Sequence, residues 1–518
     1  MPTEASLELE PARGSDMHVA ATPLEFLRRS EAMFAGRVAV IDGDRSFTYA
    51  EMAERCRRAG GALEARGIRA GDRVATLARN SLMMLEAHYA VPAVGAVLVP
   101  INHRLKPIEI APLLAHAGVS LVLVDDVLAD LAAQFDVPAM SATEYERSIA
   151  SAQPTMREIP DEHDLLSINY TSGTTGRPKG VMYDHRGAYF QALAMVAHNH
   201  LSMGTRFPWT LPMFHCNGWT YPWAVSAVGG THVCLDAVDP GRIWELVHDL
   251  GITHLNAAPT VLISLIGHEL ARPVISEQAL RVATGGAPPS PTLLSKLADL
   301  NIDVTHLYGL TETYGPAAVC DWQPEWSRLP AAEQARLKAR QGNANVLGGH
   351  ARVVGHDGND VPADGETVGE VALRGNNVMR GYFRDPEATN EAIRNGWFYS
   401  GDLAVMHPDG YIELRDRSKD IIISGGENIA SIEVEQALST HGDVIEVAVV
   451  AMPHEHWGEV PAAFVVARNN VRIEETELID FVRTKLAGFK VPKRIVLVDE
   501  LPKTATGKIQ KYVLRARL

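Results

Sequence analysis

The chain has 518 residues, of which 46% are hydrophobic and 21% charged; this is a globular balance in a length too great for one compact core, so at least two domains are expected. The formal net charge of -15 at pH 7 argues against a broad nucleic-acid or anionic-membrane surface but leaves room for a small basic pocket around an anionic ligand. Cys56, Cys216, Cys234 and Cys320 are scattered without a C-x-x-C pair, which suits buried thiols in a reducing compartment better than disulfides or a zinc site.

In chain order, the stretch from Met1 to Thr22 lacks the basic-then-apolar order of a secretory signal, and a cytoplasmic location is expected. The longest apolar run, Ala87 to Val99, is broken by His88, Pro92 and Gly95 and is shorter than the roughly 20 residues that span a bilayer. An amphipathic helix is expected after Phe47, with Met52, Cys56 and Leu63 on one face and Gly67 closing it. A strand at Arg73 to Ala78 follows. Then come a helix near Leu82 to Tyr89, a strand at Ala96 to Val99, a helix near Ile108 to His116 and a strand at Ser120 to Val124. The alternation recurs between Leu193 and Leu307. It predicts an α/β domain with two stacked parallel-type sheets covered by helices.

From Pro316 to Arg340 the chain is charged and contains tryptophan. Gly, Asp and alternating Val then run to Leu414, as short antiparallel strands would, forming a small β-barrel-like part. Beyond Arg417 the order is strand, helix Ile432 to Ser439, strands Ile445 to Ala451 and Ala462 to Val466, helix Glu475 to Leu486 and strand Ile495 to Val498. That predicts a small α+β domain at 417–518 after a large one at 1–416, joined by a linker at Asp416 to Asp420.

The strongest chemical signal is Tyr170-Thr171-Ser172-Gly173-Thr174-Thr175-Gly176-Arg177-Pro178-Lys179-Gly180, placed directly after the apolar Leu165 to Ile168. Such a loop offers backbone N–H groups, hydroxyls and one ammonium to a polyphosphate, and its glycines admit close approach. It is not a G-x-x-x-x-G-K-[ST] loop, because Lys179 is followed by glycine.

This loop resembles the phosphate loop of the acyl-adenylate-forming superfamily, in its acyl-CoA synthetase branch, and further motifs follow in that family's order over nearly the whole chain. The resemblance implies that Thr171, Ser172, Gly173, Thr174, Thr175, Gly176 and Lys179 hold ATP phosphates. Gly285-Gly286-Ala287-Pro288 resembles the adenine-side turn. In Tyr308-Gly309-Leu310-Thr311-Glu312-Thr313, the resemblance has Tyr308 stack on adenine beside Gly309. Thr311 then meets the α-phosphate, and Glu312, with Thr171, meets Mg²⁺. Trp397 to Asp402 resembles the family's T-G-D element with Ser400 in place of threonine. It implies that Asp402 accepts from the ribose hydroxyls while Arg417 donates to ribose or phosphate oxygens.

Leu501-Pro502-Lys503-Thr504-Ala505-Thr506-Gly507-Lys508 resembles the segment that carries the family's catalytic lysine, here Lys508, whose ammonium would offset charge gathering at the α-phosphate. Lys503 and Lys511 are read as solvated. Lys419 matches the family's hinge. Gly425 and Gly426, within Ser424 to Asn428, match the loop lining a tunnel for a pantetheine arm. Trp209 to Trp219 resembles the substrate-side motif, with His215 near the carboxylate and Trp219 beside the acyl pocket or nucleotide.

The implied reaction joins a small carboxylic acid to coenzyme A through an acyl-AMP, consuming ATP with Mg²⁺ and involving no nucleic acid. This version of the motifs, with Trp322 and the Glu333 to Arg340 segment, looks most like ligases of short or medium-chain acids, thioether and aryl acids remaining open. Many family members form dimers, so the resemblance also brings a homodimer. Two rivals stand beside it: an acyl-AMP ligase serving a carrier protein, and a non-catalytic nucleotide-binding regulator.

Overall fold

The computed structural model describes residues 19–171, 178–275, 279–286, 288–347, 349–417, 420–424, 427–468, 473–504 and 509–518. Its largest sheet runs in the order Ala139–Ser141, Val119–Val124, Arg73–Leu77, Val97–Pro100, Leu165–Tyr170, Gly180–Asp184. All neighbours are parallel except the last pair. Val97–Pro100 is buried at every position, as a strand covered on both faces should be. Helix Tyr49–Ala65 starts on a capping box, in which Thr48 accepts from the Glu51 backbone and the Glu51 carboxylate accepts from Thr48 N, satisfying two donors left over at the helix start. Helix Leu82–Ala93 is buried along its whole length, so its apolar residues serve two sides at once.

A second sheet pairs His254–Ala257, Leu280–Thr284 and Ile302–Leu310 in parallel, then adds Gly315–Val319 and Asn343–Ala344 antiparallel. Both large sheets are therefore mixed, not purely parallel as the alternation suggested. The reason is local: the links 171–179 and 311–314 are too short to carry a crossover helix, so each following strand returns beside its predecessor. A four-stranded sheet of Arg45–Thr48, Val38–Asp42, Thr231–Cys234 and Arg206–Pro208 completes this α/β part. An antiparallel sheet follows, built from Gly349–Val354, Val368–Gly375, Trp397–Met406, Ile393–Arg394 and Ile412–Arg417.

The C-terminal part has its own sheet, in which Val444–His454 and Gly458–Ala467 form a long hairpin and Arg494–Leu497 joins in parallel. Val434 and Leu438 of helix Ser431–Ser439 and Leu478 and Val482 of helix Glu475–Arg483 pack on it in a separate core. Two lysines depart from expectation. Lys511 is largely buried, with Nζ 2.8 Å from Glu435 Oε1, because Leu514 three residues on is fully buried and turns that helix face inward. Lys503 pairs with Glu446 at 2.7 Å. Among the described residues no helix is long and apolar enough to cross a membrane.

Candidate active site

Leu165–Tyr170 and Gly180–Asp184 form a hairpin with Tyr170 opposite Gly180, and Thr171 N donates to the Lys179 carbonyl at 3.0 Å. The ends of the glycine-rich loop are thereby clamped together. Ser172, Gly173, Thr174, Thr175 and Gly176 lie outside the described residues. Lys179 Nζ sits 4.6 Å from the centroid of the Tyr382 ring, a cation–π contact. Tyr382 bridges to Val181 through the backbone, and its hydroxyl donates to Glu312 Oε1 at 2.9 Å. Burial, and next to it the Glu312 carboxylate, push the Tyr382 phenol far up, so it stays a donor. The lysine of the loop and the glutamate of a later motif are thus spanned by one aromatic ring.

Glu312 lies in the short turn Thr311–Thr313 that ends strand Ile302–Leu310. That strand and Gly315–Val319 approach so closely that a Cβ at Gly309 would fall 1.9 Å from the Gly315 carbonyl, which only glycine avoids. Tyr308 is buried and donates to Asp402 Oδ2 at 2.8 Å. Asp402 pairs in register with Arg417 across Trp397–Met406 and Ile412–Arg417; the Arg417 side chain is outside the described residues. Asp402 N donates to Ser400 Oγ at 3.1 Å, and Ser400 Oγ donates to the Val371 carbonyl, so the serine performs the local bonding that its hydroxyl permits. Gly286 has φ +86 with open space around it. Pro288 is half-buried, and Ala287 is outside the described residues.

On the substrate side the backbone does something unusual. Cys216, Asn217, Gly218, Trp219 and Thr220 all have positive φ, between 49° and 68°, a left-handed turn that costs roughly 1–2 kcal/mol for each residue with a Cβ. Side chains hold it in place. Asn217 Oδ1 accepts from Asn169 Nδ2 at 2.6 Å and Asn217 N donates to Asn169 Oδ1. The Trp219 ring fills the space where a Cβ would stand at Gly285, 3.0 Å from its Cη2, and at Gly315, 3.1 Å from its Cδ1. The turn begins beside half-buried His215, whose Nε2 lies 3.7 Å from Cys216 Sγ, and it brings buried Cys216 to the Thr311 turn, with Sγ 3.7 Å from Thr311 Oγ1. Burial pushes the Cys216 thiol up to about 12, so it remains protonated and is no nucleophile at neutral pH.

Three separate motifs therefore meet at the Thr311–Thr313 turn: the loop end through Lys179 and Tyr382, the substrate-side turn through Cys216, and Tyr308 with Asp402. The described residues hold Thr171, Lys179, His215, Trp219, Gly286, Pro288, Tyr308, Gly309, Thr311, Glu312 and Asp402; Lys419, Gly425, Gly426 and Lys508 lie outside them. Sequence reasoning missed Tyr382, which carries no motif signal of its own, and the Asn169–Asn217 pair. Asn169 immediately precedes the loop, and that adjacency was the available hint.

A family model described as AMP-binding enzyme matches residues 27–383, and one described as AMP-binding enzyme C-terminal domain matches 433–508. The chain belongs to the AMP-binding enzyme family. An acetate–CoA ligase of Humulus lupulus is 42% identical to this AMP-binding enzyme over 540 aligned residues, covering 96% of this chain and 95% of the relative. A peroxisomal acetate/butyrate–CoA ligase of Arabidopsis thaliana is 41% identical with the same coverage. Among solved structures, ATP-bound MatB from Rhodopseudomonas palustris superposes with a TM-score of 0.87 at 28% identity, covering 96% of this chain and 99% of that one.

Proposed function

We propose that this AMP-binding enzyme joins short or medium-chain carboxylic acids to coenzyme A. The acid's carboxylate attacks the α-phosphorus of ATP and displaces pyrophosphate; the thiol of CoA then attacks the acyl-AMP carbonyl and displaces AMP. The observation that carries this reading is the convergence at the Thr311–Thr313 turn, where an ammonium-bearing loop end, a carboxylate and the His215 turn approach one another.

In this reading Lys179 and the loop bind phosphates, Tyr308, Asp402 and Arg417 bind the nucleoside, and His215 and Trp219 border the acid. Each group arrives already oriented, which is most of what phosphoryl-transfer chemistry requires of a protein. The 1–416 part binds ATP and acid, while the 417–518 part, turning at Lys419, brings first Lys508 and then the tunnel at Gly425 and Gly426. Glu312 suits Mg²⁺: its carboxylate is held by a neutral phenol, Tyr382, which leaves its charge uncompensated by that contact. When bound with ATP, the ion neutralises phosphate charge; Glu312, with Thr171, would hold it. Relatives named for acetate and butyrate support an acid at the short end. Four free, buried cysteines suit a reducing interior, which we take to be the cytoplasm.

The test is AMP and thioester formation from ATP across acetate, butyrate, hexanoate, thioether and aryl acids, with and without CoA. CoA-dependent turnover on one or more acids is expected. A single burst of pyrophosphate that CoA does not change would replace this reading with an adenylate-only ligase.

A further inference from the structure

The large part and the C-terminal part meet at a joint whose two sides are set by strand membership. Strand Ile412–Arg417 belongs to the antiparallel sheet of the large part, where Asp416 stands in register with Leu403, and Ile412 and Ala404 lie in that part's core. Strand Ile422–Ser424 pairs with Glu427–Ile429 and with Gly458 in the C-terminal sheet. Any turning of one part against the other therefore takes place between Asp416 and Ile422.

Asp416 reaches across this joint. It is 3% exposed, and its Oδ2 accepts a hydrogen bond from Ser431 N. Ser431 opens helix Ser431–Ser439, whose Val434 and Leu438 pack in the separate C-terminal core. The residue ahead of that helix is Ala430, and no side-chain cap is made there. Alanine is a poor residue at that position, because the first N–H groups of a helix have no partner within it. The missing acceptor is supplied from the other part. It is a carboxylate, which the positive end of the helix favours.

A second set of contacts fixes the same corner from the C-terminal side. Lys511 Nζ donates to the Oγ of fully buried Ser431 and stands 2.8 Å from Glu435 Oε1. Burial works against the Lys511 charge, but Glu435, Asp416 and Asp420 together outweigh it and raise the ammonium above its ordinary value. Asp420 is paired with Arg515, on the same terminal helix as Lys511. Ser431, Glu435 and Lys511 all belong to the C-terminal part, so their bonds survive rotation at the joint. The bond from Ser431 N to Asp416 exists only while the two parts keep this orientation.

We propose that Asp416 is a positioning residue of the joint: its carboxylate caps the Ser431 helix across the two parts and so holds the C-terminal part in this orientation, one of the two that the two-step reaction uses. The inference rests on the acid–CoA ligase reading and adds to it the side chain that balances the two steps. Each orientation must be populated for both steps to proceed, and the populations follow from contacts made in one orientation and not in the other. One hydrogen bond to a charged group biases such a balance by about tenfold or more.

The experiment uses the full chain with nitroxide labels at two exposed positions, Ile108→Cys in the large part and Arg483→Cys in the C-terminal part; the native cysteines are buried. Pulsed electron paramagnetic resonance reads the distances between the labels. On unlabelled protein the half-reactions are read separately, as pyrophosphate release from ATP with acid and as thioester from supplied acyl-AMP and CoA. Asp416→Ala should raise the share of a second distance, and shift the ratio of the two half-reaction rates, by about tenfold or more. Asp416→Asn, which keeps an acceptor without the charge, should fall between. Adding Ala430→Ser to Asp416→Ala gives the helix a cap from its own part, and should restore the thermal midpoint while the distances and the rate ratio stay shifted. Unchanged distances in Asp416→Ala, or an equal change in both half-reactions, overturn the proposal. Full recovery of the ratio by Ala430→Ser also overturns it, making Asp416 a helix cap and nothing more. Absence of both half-reactions in the unaltered chain would sink the ligase reading instead, and the distances, which need no turnover, would still decide whether Asp416 holds the joint.

Discussion

The Tyr382 hydroxyl donates to Glu312 at 2.9 Å while the Tyr382 ring carries the Lys179 ammonium on its face at 4.6 Å. One side chain therefore sets the spacing between a cation and a carboxylate that the proposed reaction needs on opposite sides of the same phosphates. Tyr382→Phe keeps the ring beneath Lys179 and removes only the bond to Glu312. It should raise the Mg²⁺ concentration needed for ATP binding, read by calorimetry, and lower adenylation kcat/KM by about tenfold, the scale of one hydrogen bond to a charged group. Thioester formation from supplied acyl-AMP should fall much less. Unchanged Mg²⁺ dependence would reduce the contact to packing.

Legibility in the sequence followed from how local each signal was. Helices and strands of the first sheet could be read from periodicity because buried strands are apolar throughout, as at Val97–Pro100. Asp402 and Arg417 are each read as meeting the nucleotide, and the structure sets them in register because the hairpin between them turns through Gly410 at φ +80. The left-handed run at Cys216–Thr220 was not legible: only one of its five residues is glycine, and glycine is the sequence signal for positive φ. Tyr382 and Lys511 were missed for a different reason, since their roles come from partners 70 and 76 residues away, Glu312 and Glu435.

Gly309→Ala tests the close strand approach. A Cβ 1.9 Å from the Gly315 carbonyl meets only backbone of the facing strand Gly315–Val319 and has no flexible neighbour to displace. The variant should lose about 3 kcal/mol or more of stability, in the range of severe overpacking, seen as a lower denaturation midpoint and reduced soluble yield. Gly286→Ala is the control for space, because nothing lies within 4 Å of its added Cβ, although its φ of +86 still disfavours a side chain. It should cost only about 1 kcal/mol. Equal losses in the two variants would show that backbone conformation, not the contact, matters at Gly309.

Acid sensitivity follows from buried histidines. Burial pushes His88, His185, His254 and His306 down to about 4 and His232 to about 3. All are neutral in the fold, while the unfolded chain takes up protons below about 6.5. The unfolded state then binds more protons, so the stability held above that pH is lost progressively as pH falls toward 4. Each such group can cost roughly 3 kcal/mol by the lower limit. The thermal midpoint should drop markedly between pH 6.5 and 4.5. His306→Gln, which keeps a donor for the Ala339 and Arg340 carbonyls that His306 Nδ1 now faces at 3.0 and 2.9 Å, should show a shallower drop. A flat midpoint in the unaltered protein over that range would contradict the sign.

The two half-reactions can be separated through the C-terminal part. Lys508 is assigned to adenylation and the Gly425 loop to thioester formation, so a substitution at one should spare the step that uses the other. Lys508→Ala should lower acyl-AMP formation by roughly 10²–10³, the loss typical of one transition-state donor, yet still convert supplied acyl-AMP to thioester. Gly425→Trp should reverse the pattern, forming acyl-AMP and pyrophosphate but little thioester, because an indole in the tunnel excludes the pantetheine arm. The pair is more informative than either alone, since a general folding defect lowers both steps together. Alternation between two orientations also requires that each ligand prefer one of them. Equal loss of both half-reactions in Lys508→Ala would therefore remove the case for rotation at Lys419 and leave a single working orientation for the two steps.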